Sequence, residues 1–139
     1  MTNEELVRTA CKVVWSDGDV SRIGEFYAED YQADYPMTDW GEGLEGIKNL
    51  AVQQRAAFPD YREEIDELID AGDKIIVVLK IRGTHEGPLG GVAATGKCFE
   101  IRDVTICTCK NGRIVKQSGL SDYLAAYVQL GVIDLPAVS

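Results

Sequence analysis

His85 is the only histidine in the chain, and so the only side chain whose ordinary pKa lies near neutrality. It sits in Gly83-Thr84-His85-Glu86-Gly87. There it is placed to orient a substrate or relay a proton, or else to hydrogen-bond the backbone of a glycine-rich turn. Asp34 lies in Ala33-Asp34-Tyr35-Pro36, on a short predicted strand. If that carboxylate faces a pocket shared with a second one, the two push each other's pKa apart. Tyr35 and Trp40 are aromatics suited to lining a pocket for a flat ring, or to serving as core or subunit interface. Ser121-Asp122 precedes an apolar helical stretch and suits a helix N-cap. Cys11, Cys98, Cys107 and Cys109 fit no common zinc spacing, and one histidine rules out a multi-histidine metal site, so no metal is expected. The cysteines read as reduced, small, buried apolar residues.

These residues need a scaffold, and the chain is of the size for one domain spanning residues 1–139. With 45% hydrophobic and 27% charged residues the balance is that of an ordinary globular domain. The net charge of −9 repels phosphate backbones and anionic lipid, which argues against nucleic-acid and membrane-surface partners. No apolar run approaches the roughly 20 residues needed to span a bilayer. Met1-Thr2-Asn3-Glu4-Glu5 lacks the basic-then-apolar pattern of a secretory signal, so a cytoplasmic location is expected.

Thr2 and Glu5 form a capping-box signature ahead of Leu6, Val7, Ala10, Val13 and Val14 at helical spacing. A second short helix carries Val20, Ile23, Phe26 and Tyr27, and a short strand is predicted over 30–35. A third helix carries Leu44, Ile47, Leu50, Ala51 and Phe58 and ends at Pro59. The period then shifts to that of strands. These are predicted over 61–69 with a bulge near Leu68-Ile69, over 74–84, over 97–109 and over 114–120. The apolar run at the start of the 74–84 strand predicts burial on both faces. Asn111-Gly112 predicts a type I′ hairpin turn. A last helix carries Leu124, Tyr127, Val128 and Leu130, with Gly131 as its stop. Helices segregated against a run of antiparallel strands make an α+β fold.

On that order of elements, the stretches GLEGIKNL, AAFPD, DELIDAGDKIIVVLKIRGTHEGPLGG, ATGK, NGRIVKQ and SDYLAAYVQLG resemble the SnoaL-like polyketide cyclases of the nuclear-transport-factor-2-like superfamily. The resemblance runs from about Gly43 to Gly131. It implies a cone-shaped, curved, mixed or antiparallel sheet with N-terminal helices enclosing a hydrophobic pocket. It further implies a homodimer and a cofactor-free enzyme that closes rings by an intramolecular aldol reaction on a small hydrophobic carbonyl compound. Asp122 matches the family's acid/base aspartate, and a carboxylate at the lip of an apolar pocket has the raised pKa such a role needs. His85 matches a histidine frequent in the family's Gly-Thr-His segment and is the expected supporting catalytic group.

The chain also departs from that pattern. Relatives usually carry an aromatic where it has Ser118 and often a histidine where it has Gln117, while Cys107-Thr108-Cys109 replaces His or Tyr. Ser118 therefore joins Asp34, Tyr35 and Trp40 as a substrate-binding candidate. Arg102 and Asp103 are adjacent on a strand and point to opposite faces, which argues against an Asp-Arg-Asp epoxide-hydrolysing set. The alternative reading is a non-catalytic module that holds a small apolar molecule in the same pocket.

Overall fold

The computed structural model describes residues 1–36 and 41–137. Helix α1 (Asn3–Ala10) starts at the capping box: Thr2 Oγ1 accepts from Glu5 N at 3.1 Å, and Glu5 Oε2 accepts from Thr2 N at 3.0 Å. Its winding loosens into a π-helical stretch, Cys11–Ser16, and a 3₁₀ turn follows at Val20–Glu25. Strand β1 (Tyr27–Asp34) begins earlier than predicted, because Tyr27 and Tyr31 point into the core as an edge-to-face pair 5.3 Å apart. Helix α2 (Gly43–Ala57) packs Ile47 and Ala51 inward.

Four antiparallel strands follow: β2 (Arg62–Asp70), β3 (Lys74–Thr84), β4 (Cys98–Lys110) and β5 (Arg113–Ser121). They stand in the order β1-β5-β4-β3-β2, with β1 parallel to β5 and every other pair antiparallel, giving the mixed sheet of the α+β class. The bulge in β2 falls between Ile65 and Glu67, earlier than its disturbed alternation near Leu68 suggests. Asn111 (φ 52°) and Gly112 (φ 74°) form the left-handed turn between β4 and β5. A last helix, α3 (Tyr123–Gln129), closes one end.

The strand period of two sorts the side chains. On β3, Ile75, Val77, Leu79 and Ile81 face the helices and are buried, while Ile76 and Val78 on the other face are only half-buried. The near-continuous apolar run thus marks one core face and one partly open face, not burial on both. On β4, Phe99, Ile101, Cys107 and Cys109 face the same core, with Leu6, Val7, Ala10 and Val14 packed over it. Cys98, at the start of β4, is exposed, contrary to the buried reading of the cysteines, and all four are free thiols. Among the described residues no helix is long and apolar enough to cross a membrane.

The loop after β3 is tied down by backbone. His85 N donates to Lys97 O at 2.9 Å, and Glu86 N and Gly87 N both donate to Ala57 O at 3.0 and 3.1 Å. That approach needs glycine: a Cβ on Gly87 would lie 2.0 Å from the Ala56 carbonyl oxygen. Gly87→Ala is expected to destabilise the fold by about 1–3 kcal/mol, as overpacking does. Gly91→Ala in the same loop, where a Cβ meets nothing within 4 Å, is expected to melt like the wild type. Thermal or urea melts of the two variants check this.

Candidate active site

Between the sheet and the helices lies a cavity of about 50 Å³. Its wall is mostly aliphatic and aromatic, with Leu79, Ile81 and Ile114 from the strands and Val7, Trp15 and Leu50 from the helical segments. Among the described residues two carboxyl groups interrupt that wall, Glu63 from β2 and Asp103 from β4, and no lysine or arginine lines it.

Strand alternation delivers both carboxyls. Asp103 and Thr105 occupy inward positions between Ile101 and Cys107, so each is buried, at 5% and 2% exposure. Glu63 stands opposite Ile81, whose side chain also points inward.

A carboxylate taken out of water must be hydrogen-bonded. Asp103 Oδ1 accepts from Thr105 Oγ1 at 2.5 Å, and Asp103 Oδ2 accepts from Ser121 Oγ. Because the Thr105 proton is committed to Asp103, the 2.7 Å contact between Tyr35 and Thr105 has the Tyr35 phenol as donor. Desolvation pushes the Asp103 pKa up, against the opposing pull of the hydrogen bonds from Ser121 and Thr105.

Glu63 is pushed further, to about 8, first by desolvation and then by the negative charge of Asp103, against the opposing pull of bonds from Tyr61 and Cys11. The Tyr61 phenol donates to Glu63 Oε1 at 3.0 Å. The cavity therefore holds a Glu63 that keeps its proton at neutral pH together with Asp103, whose two hydroxyl donors favour its charged form. Burial raises the pKa of the Cys11 thiol well above its ordinary range and that of Cys107 to about 12, so both stay protonated and are poor nucleophiles.

Among the described residues Tyr35 is the one sequence-predicted candidate on the cavity wall. Trp40 lies outside the described residues. Asp34 is exposed at the end of β1, paired in register with Ser118. Ser118 follows the inward Gln117, which accepts from the Tyr31 phenol at 2.8 Å, and so points to the outer face opposite Ile106. Asp122 is exposed, and its Oδ1 accepts from Ala125 N at 3.1 Å as the N-cap of α3. It is absent from the cavity wall.

His85 is fully buried and also absent from the wall. Its Nδ1 accepts from Thr95 N at 3.2 Å and contacts Thr95 Oγ1 at 3.0 Å, and its ring lies 5.7 Å from that of Phe58. It fastens the loop after β3. Asp34, His85 and Asp122 do not converge on the cavity.

Sequence reasoning passed over Glu63 and Asp103. For Asp103 the signal was present: counting by twos from Ile101 to Cys107 places it on the core face. Glu63 sits among Arg62, Glu64 and Asp66, where charge hides its inward position. Gly119 is a further hidden contributor. A Cβ there would lie 2.7 Å from Thr105 Oγ1 and 2.8 Å from Tyr35 Cε1, so its bareness lets Tyr35 reach Thr105.

The model of the SnoaL-like polyketide cyclase family matches residues 5–130. Among solved structures, the chain is similar to a candidate polyketide cyclase from Acidithiobacillus ferrooxidans, with 25% identity, TM-score 0.84, and 94% of this chain and 95% of that one covered. It is similar to IdmH from Streptomyces antibioticus at 25% identity and TM-score 0.81, covering 92% and 97% of the two chains. It shares its fold with TsrD from Streptomyces laurentii at 22% identity and TM-score 0.83, covering 94% and 95%. No protein of curated function matches it by sequence.

The raised Glu63 pKa carries a sign for stability. Between the ordinary value of 4.5 and about 8 the native state binds a proton that the unfolded chain has released, so stability falls as pH rises through that window. The slope from one such group is about 1.4 kcal/mol per pH unit. Glu63→Gln is expected to flatten the decline, its stability relative to wild type growing with pH up to about 8 and levelling off above it. Urea melts at half-unit pH steps read this directly.

Proposed function

The chain belongs to the SnoaL-like polyketide cyclase family, and from that premise we propose a cofactor-free cyclase, or related lyase or isomerase, acting on a small hydrophobic carbonyl compound. The observation that carries the reading is the pairing of Asp103 with Glu63 in one apolar cavity. Asp103 removes a proton from a carbon beside a carbonyl, and the electron pair passes into an enolate. That carbon attacks a second carbonyl of the same molecule, and Glu63 supplies the proton that its oxygen takes up as the new carbon–carbon bond forms. The proton held by Asp103 then restores Glu63, and the pair is reset with no net change. The Thr105 and Ser121 hydroxyls orient Asp103 and keep it ionised.

In this reading Asp122 is the cap of α3 and His85 the clasp of the loop after β3. The acid/base role expected of Asp122 passes to Asp103, one register step away: Asp103 pairs with Ser121, the residue before Asp122. Asp103→Asn is expected to lower turnover of a small carbonyl substrate by about a hundredfold to ten-thousandfold. Asp122→Asn is expected to leave turnover near normal and to cost at most about 2 kcal/mol of stability, the range for a lost cap. Near-normal turnover in Asp103→Asn, or a collapse confined to Asp122→Asn, contradicts the assignment.

We further propose that the chain forms a homodimer through the outer face of its sheet. The register places Ile76 beside Ile106, Val78 beside Val104, and Val104 beside Leu120. Of these Val104, Ile106 and Leu120 are 40%, 39% and 64% exposed, a joined apolar strip that a second copy would cover. Sedimentation at micromolar concentration is expected to give a dimer, and the double substitution Val104→Lys, Ile106→Lys a folded monomer. A wild-type monomer, or a double variant that still dimerises, contradicts it.

A further inference from the structure

Resting on the acid/base reading above, the geometry points to Gln54 as a ligand-selecting residue whose side-chain carbonyl accepts a hydrogen bond from a neutral ligand bearing an O–H or N–H donor. Among the described residues two buried side-chain polar atoms meet no protein partner, Gln54 Oε1 and His85 Nε2. Only Gln54 belongs to the cavity wall.

The free atom is the oxygen because the amide nitrogen is engaged: Gln54 Nε2 donates to the Tyr123 phenol oxygen at 3.5 Å. The amide is thereby turned with Oε1 away from Tyr123, and Oε1 meets no protein partner.

The rest of the wall narrows the ligand class. Oε1 and the Asp103 carboxyl oxygens are acceptors, and among the described residues no lysine or arginine lines the cavity to receive an anion. A carboxylate or phosphate ester would bring negative charge into a chamber already lined by two carboxyl groups. A neutral ring or chain carrying a hydroxyl, as a phenol or an enol does, supplies the missing donor, while its apolar body meets the aliphatic wall. A buried acceptor left unpaired costs about 1–3 kcal/mol, so its satisfaction discriminates sharply between ligands that differ only by that donor.

Phenol and toluene are such a pair, equal in shape and differing in one O–H. Dissociation constants for both, from NMR titration of the wild type and of Gln54→Leu, give the ratio of interest. Relative to the variant, the wild type is expected to favour phenol over toluene by about tenfold more. Gln54→Met, closer in shape, is expected to behave as Gln54→Leu does and guards against a folding defect. An unchanged ratio in both variants overturns the inference, as does failure of the wild type to bind phenol. Binding in Asp103→Asn separates this inference from the acid/base reading. A phenol preference that survives Gln54→Leu and vanishes in Asp103→Asn assigns the donor to the carboxylate, so the Gln54 inference falls while the catalytic reading stands. Loss of the preference in Gln54→Leu together with full turnover in Asp103→Asn has the reverse meaning.

Discussion

A carboxylate in the middle of a core strand is stable only if its surroundings are built for it, and Asp103 sets that demand here. Both of its oxygens are engaged, by Thr105 from two places along the same strand and by Ser121 from the neighbouring strand. The Thr105 hydroxyl is in turn backed by the Tyr35 phenol. These three residues come from just past β1, from β4 and from the end of β5. Satisfying one buried carboxyl thus fixes how the first strand meets the sheet. The parallel pairing of β1 with β5 and the bare Gly119 beside Tyr35 serve the same end.

In the proposed reading the arrangement also explains why one carboxyl serves as acid and the other as base. Hydroxyl donors stabilise the charge on Asp103, whereas desolvation and the Asp103 charge raise the pKa of Glu63. Two residues of similar chemistry thereby meet surroundings of opposite preference. Nothing about either residue alone produces this. It comes from the number of donors each one meets and from the apolar wall that surrounds both.

Much of the fold was legible in the sequence because its signals are local. The Thr2–Glu5 capping box, the spans of β3 and β4 and the Asn111-Gly112 turn each depend on a few neighbouring residues, and all three hold. The site was less legible because it is assembled from residues distant in the chain. Asp122 has the neighbours of a helix cap and of a family motif, and one position along the strand separates a solvated cap from the hydroxyl that serves the cavity. His85 has the chemistry of a proton relay but is spent on a loop clasp. Gln54 looks like any helix glutamine until its unpaired Oε1 is found on the cavity wall.

The central claim is that Glu63 is protonated and Asp103 ionised in the same cavity at neutral pH. It is tested most directly by carboxyl carbon-13 NMR titration of the uniformly labelled protein, with Glu63→Gln and Asp103→Asn used to assign the two resonances. The account predicts that Asp103 loses its proton first and that the Glu63 carbon titrates near 8, with its midpoint falling when Asp103 is replaced by Asn. Titration of both carbons near 4, each indifferent to the other's replacement, would contradict it.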